Sequence, residues 1–66
     1  MFNAEKLKDK MRDNNVSITK ILDNLDINKS TFYRKMNSGG FTISEASKLV
    51  EVLMLTESEA ISIFFG

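Results

Sequence analysis

Sixty-six residues with nine basic and nine acidic side chains, no Cys and no His, exclude disulfides and the commonest metal ligands, and a net charge of zero excludes holding a nucleic acid on charge alone. A chain of this length buries only about 60% of the surface that its unfolded form exposes, so helix packing or self-association must supply further stability. With no Pro, three Gly and no apolar run near the roughly 20 residues of a bilayer span, the composition predicts a soluble, cytoplasmic, all-α domain over residues 1–66.

The first predicted helix opens after Asn3, a favoured N-cap, with Phe2 and Leu7 at the hydrophobic-staple positions. Ala4, Leu7 and Met11 form a narrow apolar stripe, charged side chains cover the other faces, and Asp13-Asn14-Asn15 ends the element. The second opens after Ser17 and carries Ile18, Ile21, Leu22 and Leu25 at the i, i+3, i+4, i+7 positions of an amphipathic helix. A break at Leu25-Asp26-Ile27 leads to Asn28, which caps a third helix ending at Met36, with Phe32 and Met36 one turn apart on its inner edge. Two short helices joined by a turn of about three residues make a helix-turn-helix, placed here at about residues 18–36. Asn37-Ser38-Gly39-Gly40 is a stop signal. Thr42-Ile43-Ser44-Glu45 is a capping box that opens a fourth helix with Ile43, Ala46, Leu49, Val50 and Leu53 on its apolar side. A second box, Thr56-Glu57-Ser58-Glu59, opens a fifth helix with Ala60, Ile61, Phe64 and Phe65 on its apolar side. The expected architecture is a small five-helix bundle.

Charge is unevenly placed. Residues 1–27 carry five bases and five acids, residues 28–40 carry Lys29, Arg34 and Lys35 with no acid, and residues 41–66 carry Lys48 against Glu45, Glu51, Glu57 and Glu59. The middle of the chain is therefore +3 and the last part −3, a polarised surface able to orient an encounter. On a helix beginning at Lys29, residues 29, 30, 33 and 34 share the face opposite Phe32 and Met36. That face presents Lys29, Ser30, Tyr33 and Arg34. An Arg there can pair with the O6 and N7 of a guanine, a contact worth about 1–3 kcal/mol of discrimination.

From Ser17 to Phe65 the chain resembles the Cro/repressor-type helix-turn-helix family of phages and prophages, whose fold is lambda-repressor-like. The matching residues are Ser17-Ile18-Thr19-Lys20-Ile21-Leu22, Ile27-Asn28-Lys29-Ser30-Thr31-Phe32-Tyr33-Arg34-Lys35-Met36 and Gly40-Phe41-Thr42-Ile43-Ser44-Glu45-Ala46, with Leu53 and the closing Ile63-Phe64-Phe65. The resemblance implies a transcriptional regulator of a bacterial cell, Cro-like and repressing, that binds double-stranded operator DNA as a homodimer. It puts Lys29, Ser30 and Arg34 at base edges with Tyr33 beside them, and Ser17, Asn28 and Asn37 at the DNA backbone. Thr19, Lys20, Thr31, Lys35 and Ser38 complete the expected backbone contacts. Asp26 stands where the family usually carries a Gly at positive φ, and Leu22 where it often carries Ala; the larger Leu is expected to move the two helices apart or tilt the third.

Enzymatic function is not expected: no His, Cys, Gly-rich phosphate loop or clustered carboxylate pair is present, and no cofactor, metal or small-molecule ligand is implied. The competing expectation is a helical protein-binding module, because Ile61-Ser62-Ile63-Phe64-Phe65 carries more apolar surface than so small a core can take. Ile61, Ile63, Phe64 and Phe65 are the expected interface, and the resemblance makes a second copy the expected partner.

Overall fold

In the computed structural model, which describes residues 1–66, five helices succeed one another: α1 (Ala4–Asp13), α2 (Ile18–Leu25), α3 (Lys29–Ser38), α4 (Ile43–Val52) and α5 (Glu57–Phe64). Each is entered through a side chain that accepts a hydrogen bond from its own first turn. Asn3 accepts from the Lys6 N–H at 3.0 Å, Ser17 from Lys20 at 3.2 Å, and Asn28 from Thr31 at 2.8 Å. Thr42 and Thr56 accept from Glu45 and Glu59, both at 3.1 Å, and those glutamates accept in return from the Thr42 and Thr56 N–H groups at 2.8 and 2.9 Å. Both capping boxes thus form as the sequence predicts. Each such cap stabilises its helix by about 1 kcal/mol, a large share for helices of 8–10 residues.

Nine apolar side chains make the core: Leu7 of α1, Ile21 and Leu25 of α2, Phe32 and Met36 of α3, Leu49, Leu53 and Leu55 in and after α4, and Ile63 of α5. α2 packs on α4, and α1 on α5. The chain ends meet across this last pair. The Asn3 N–H donates to the Ile63 carbonyl at 2.7 Å, while Phe2 lies between the rings of Phe41 and Phe64, at centroid distances of 5.5 and 5.7 Å. At the opposite end, the Asn14 amide donates to the Leu53 carbonyl at 2.7 Å and ties the α1–α2 turn to the α4–α5 turn. No helix is long and apolar enough to cross a membrane.

Three expectations are corrected. α3 does not stop at Met36; Asn37 and Ser38 form its last turn, and the helix ends where Gly39 adopts φ 72° and its N–H closes on the Lys35 carbonyl at 2.7 Å. Ile63 is not available to a partner, because it is 1% exposed and belongs to the core. Ile43, expected on the inner side of α4, is 89% exposed. One geometric reason covers the last two. The inward stripe of α4 is Glu45, Leu49 and Leu53, and that of α5 is centred on Ile63. Residues two positions away are turned by about 200°. That rotation sends Ile43, Ile61 and Phe65 outward.

Four residues hold left-handed backbone: Asn15, Asp26, Gly39 and Met54. Gly39 needs its lack of a side chain twice over, since an added Cβ would also lie 3.0 Å from the Phe2 Cβ. At Met54, φ 53°, the turn lets the Leu55 N–H close on the Val50 carbonyl at 3.0 Å, but the side chain, 84% exposed, adds no buried contact to offset the strain. Urea denaturation should therefore show opposite signs at the two sites. Gly39→Ala should lose more than about 1 kcal/mol, and Met54→Asn should gain about 0.5–1 kcal/mol.

Candidate nucleic-acid interface

The segment of interest is α2, the turn Asp26-Ile27-Asn28, and α3. Asp26 closes α2 in left-handed geometry (φ 55°, ψ 45°), its N–H bonded to the Leu22 carbonyl. The positive φ expected at this position is therefore present. Ile27 donates to the same carbonyl at 3.3 Å and packs against the core, so the turn is anchored from below. Leu22 is half-buried at the core edge.

On α3, Phe32 and Met36 face in, while Lys29, Ser30, Tyr33, Arg34 and Asn37 are exposed. Lys29, Ser30 and Arg34, expected at base edges, and Tyr33 beside them thus share an outward surface. Tyr33 lies with its ring edge-on to Phe32 at 5.7 Å and is 44% exposed, so part of the ring is scaffold and part is surface. The Ser30 hydroxyl donates to the Asn28 cap oxygen at 3.0 Å and keeps its lone pairs for another donor. Ser17, Thr19 and Lys20 are exposed in the first turn of α2. Thr31 is half-buried, and Ser38, exposed, accepts from the Gly40 N–H at 3.2 Å.

Lys35 differs from the others. Its ammonium donates to both oxygens of Glu45, at 2.7 and 2.6 Å, with only 17% of its side chain exposed. Glu45 also receives the Thr42 N–H. Burial pushes the Glu45 carboxyl up, but the hydrogen bonds from Lys35 and from Thr42 outweigh this and hold it below the ordinary carboxylate range. The sequence identified Glu45 only as a capping acid. A further signal was there: Glu45 precedes Leu49 and Leu53 at spacings of four, on the stripe that faces inward, where a carboxylate requires a cation.

Pairing elsewhere reshapes the charge pattern. Lys10 is bridged to Glu59, whose carboxyl is held low by that bond and by the Thr56 N–H, while Lys8 and Arg12 meet Glu5 and Asp9 on their own helix. Lys6 donates to the Ser62 hydroxyl. The cations with no acidic partner and no such bond are Lys20, Lys29, Arg34 and Lys48, three of them in the α2–α3 segment.

Among protein-family models, curated proteins and solved structures, nothing matches this chain.

A second surface lies between α4 and α5. Ile43, Ala46 and Val50 form one wall and Ala60, Ile61, Phe64 and Phe65 the other of a groove of about 300 Å³, with Glu57 its only charged lining residue. Phe65 is 79% exposed. Of the expected interface residues, Ile61, Phe64 and Phe65 line this groove and Ile63 does not. Sequence periodicity does not reveal the α4 wall, because it places Ile43 on the inner side. No group of three or more acidic side chains converges on a point that could hold a metal ion.

Glu45 and Glu59 both sit below the ordinary value of 4.5 in the folded chain, so each contributes stability that is present above that value and lost as pH falls through the folded pKa. Urea midpoints should be level between pH 6 and 8 and decline below about pH 4.5, and Glu45→Gln should make the decline shallower.

Proposed function

We propose that this protein is a sequence-specific DNA-binding regulator, in which α2 and α3 act as a helix-turn-helix and α3 enters the major groove. The observation that carries this is the outward face of α3: Lys29, Ser30, Tyr33 and Arg34 exposed together on a helix whose other edge, Phe32 and Met36, is fixed in the core. Arg34 reads a guanine through O6 and N7, Lys29 reaches guanine or phosphate, and Ser30 is short enough to let the helix approach the bases. The first turns of α2 and α3 turn N–H groups and positive dipole ends to phosphates, with Ser17, Thr19, Lys20, Asn28 and Thr31 at the contact and Asn37 and Ser38 at the far end of α3. A Cro-like repressor is the role this face suits, since it reads bases without a strongly basic clamp.

With Lys20, Lys29 and Arg34 as its unpaired cations here, one copy neutralises about two to three phosphates, giving a salt slope of about −2 to −3. That is weak, and a pair of copies doubles it. The groove between α4 and α5 is the surface that supports pairing. It holds protruding side chains (Ile43, Phe65) and a hollow in the same patch, as an isologous contact requires, and a chain of zero net charge does not repel its copy. A stable solution dimer needs about 800 Å² from each partner, and the whole chain exposes 4371 Å², so a patch of two short helices gives a weak dimer that is completed on DNA. The same groove favours the second reading, a module whose partner is another protein.

Selection from a random duplex library should return one preferred motif, and Arg34→Ala should reduce the preference for that motif over random duplex about tenfold or more. Equal affinity for every duplex, or no binding at low salt, would sink the proposal. Sedimentation of the wild type on its selected site should report two copies per duplex, against one for Ile43→Asp and Phe65→Asp. One copy in all three removes the dimer, and retained binding of a heterologous protein by wild type alone supports the second reading.

A further inference from the structure

We propose that Glu45 is a positioning residue for DNA reading, tying α3 to α4 at a fixed rotation, and that Lys35 is the other half of this tie and not a phosphate contact. The inference rests on the DNA-binding function proposed above. Its starting point is how little else holds α3. Phe32 and Met36 are the helix's only buried side chains and lie nearly in line along it. Apolar packing is non-directional, so two knobs on one line resist translation better than they resist rolling about the helix axis. A roll of about 20° moves a side-chain tip at about 6 Å radius by about 2 Å, enough to break a hydrogen bond to a base.

The Lys35–Glu45 pair lies beside that line and opposes the roll. Both oxygens of Glu45 are engaged by the ammonium, at 2.7 and 2.6 Å, and only 17% and 12% of the two side chains is exposed. The acceptor is itself held, because Oε1 of Glu45 also takes the Thr42 N–H at 2.8 Å in the first turn of α4. The tie therefore runs from the backbone of α4, through a carboxylate with its orientation fixed, to the second half of α3. Glu45 is the one buried charged residue in the chain. Buried pairs of this kind are often replaceable by apolar groups without loss of stability, so orientation is the property that distinguishes this one.

Lys35→Met/Glu45→Gln isolates the effect. Gln keeps the capping acceptor, Met fills the volume, and no charge is left unpaired. The variant should unfold close to the wild-type temperature, keep the wild-type salt slope, and lose about tenfold or more of the preference for the selected motif over random duplex. An unchanged preference overturns the proposal. So does a slope shallower by about 0.9 at unchanged preference, which makes Lys35 a phosphate contact. A DNA-free arm separates this from failure of the function itself. Amides of α3 should exchange about tenfold faster in the variant while those of α1 and α5 do not, and equal exchange refutes the tie. If wild type shows no motif preference, the DNA-binding proposal falls, and amide exchange alone judges the tie.

Discussion

Five short helices share nine buried apolar side chains, and that scarcity is the constraint on which the rest of the structure depends. Helices of 8–10 residues lie below the length, about 12–15, at which an isolated helix is even marginal in water. One or two core side chains per helix, with Leu53 and Leu55 after α4, supply the attraction between elements but leave their ends and rotations poorly specified. The ends are settled by Asn3, Ser17, Asn28, Thr42 and Thr56, each accepting from its own first turn. Two connections then bind distant turns together: Asn14 to the Leu53 carbonyl, and the Asn3 N–H to the Ile63 carbonyl. Removing any one of these leaves a helix terminus with unmet backbone groups in a protein that has little core to compensate.

The legibility of the sequence has the same origin. Caps are local, four residues long and chemically distinctive, so all five N-termini could be read from an Asn, Ser or Thr and the three residues after it. Phe32, Met36, Ile21 and Leu25 were readable as core because their spacing admits one inward face. Where the sequence misled, two apolar faces competed. Ile61, Ile63 and Phe65 alternate along α5, and nothing local says which parity points inward; the Asn3–Ile63 backbone bond and the packing of α1 on α5 decide it. Ile43 is apolar and in a capping box, yet it stands out of phase with Leu49 and Leu53. The extension of α3 through Asn37 and Ser38 was hidden by residues that favour turns and were overridden by Gly39 one step later. The Lys35–Glu45 pair was beyond a local reading, because ten residues and a helix boundary separate its partners.

Zero net charge carries different information once the pairs are placed. Lys10 and Lys35 are neutralised across helix contacts, by Glu59 and Glu45, and Lys8 and Arg12 along α1. The acids that remain free of these bridges, Asp23, Asp26, Glu51 and Glu57, leave α3 itself without a negative group. A balanced total therefore coexists with an α3 that carries only cations, beside the exposed Asp23 of α2 and Asp26 of the turn before α3. On the proposed function, discrimination rests on few, well-oriented contacts, so orientation matters more here than in a strongly basic protein.

α4 links the two surfaces. Its inward stripe, Glu45, Leu49 and Leu53, holds α3 by charge and joins the common core, while Ile43, Ala46 and Val50 form a wall of the apolar groove. The two stripes are offset within one rigid element of ten residues, so the angle between α3 and the groove is set inside a single helix and its first-turn capping box. If two copies meet through that groove, the separation of their α3 helices is fixed by α4 rather than by any loop. A loosened Lys35–Glu45 tie then changes two quantities together, the roll of each α3 and the register between the pair. A motif made of two half-sites tests the second more severely than the first, because an angular error at each α4 enters the distance between half-sites twice.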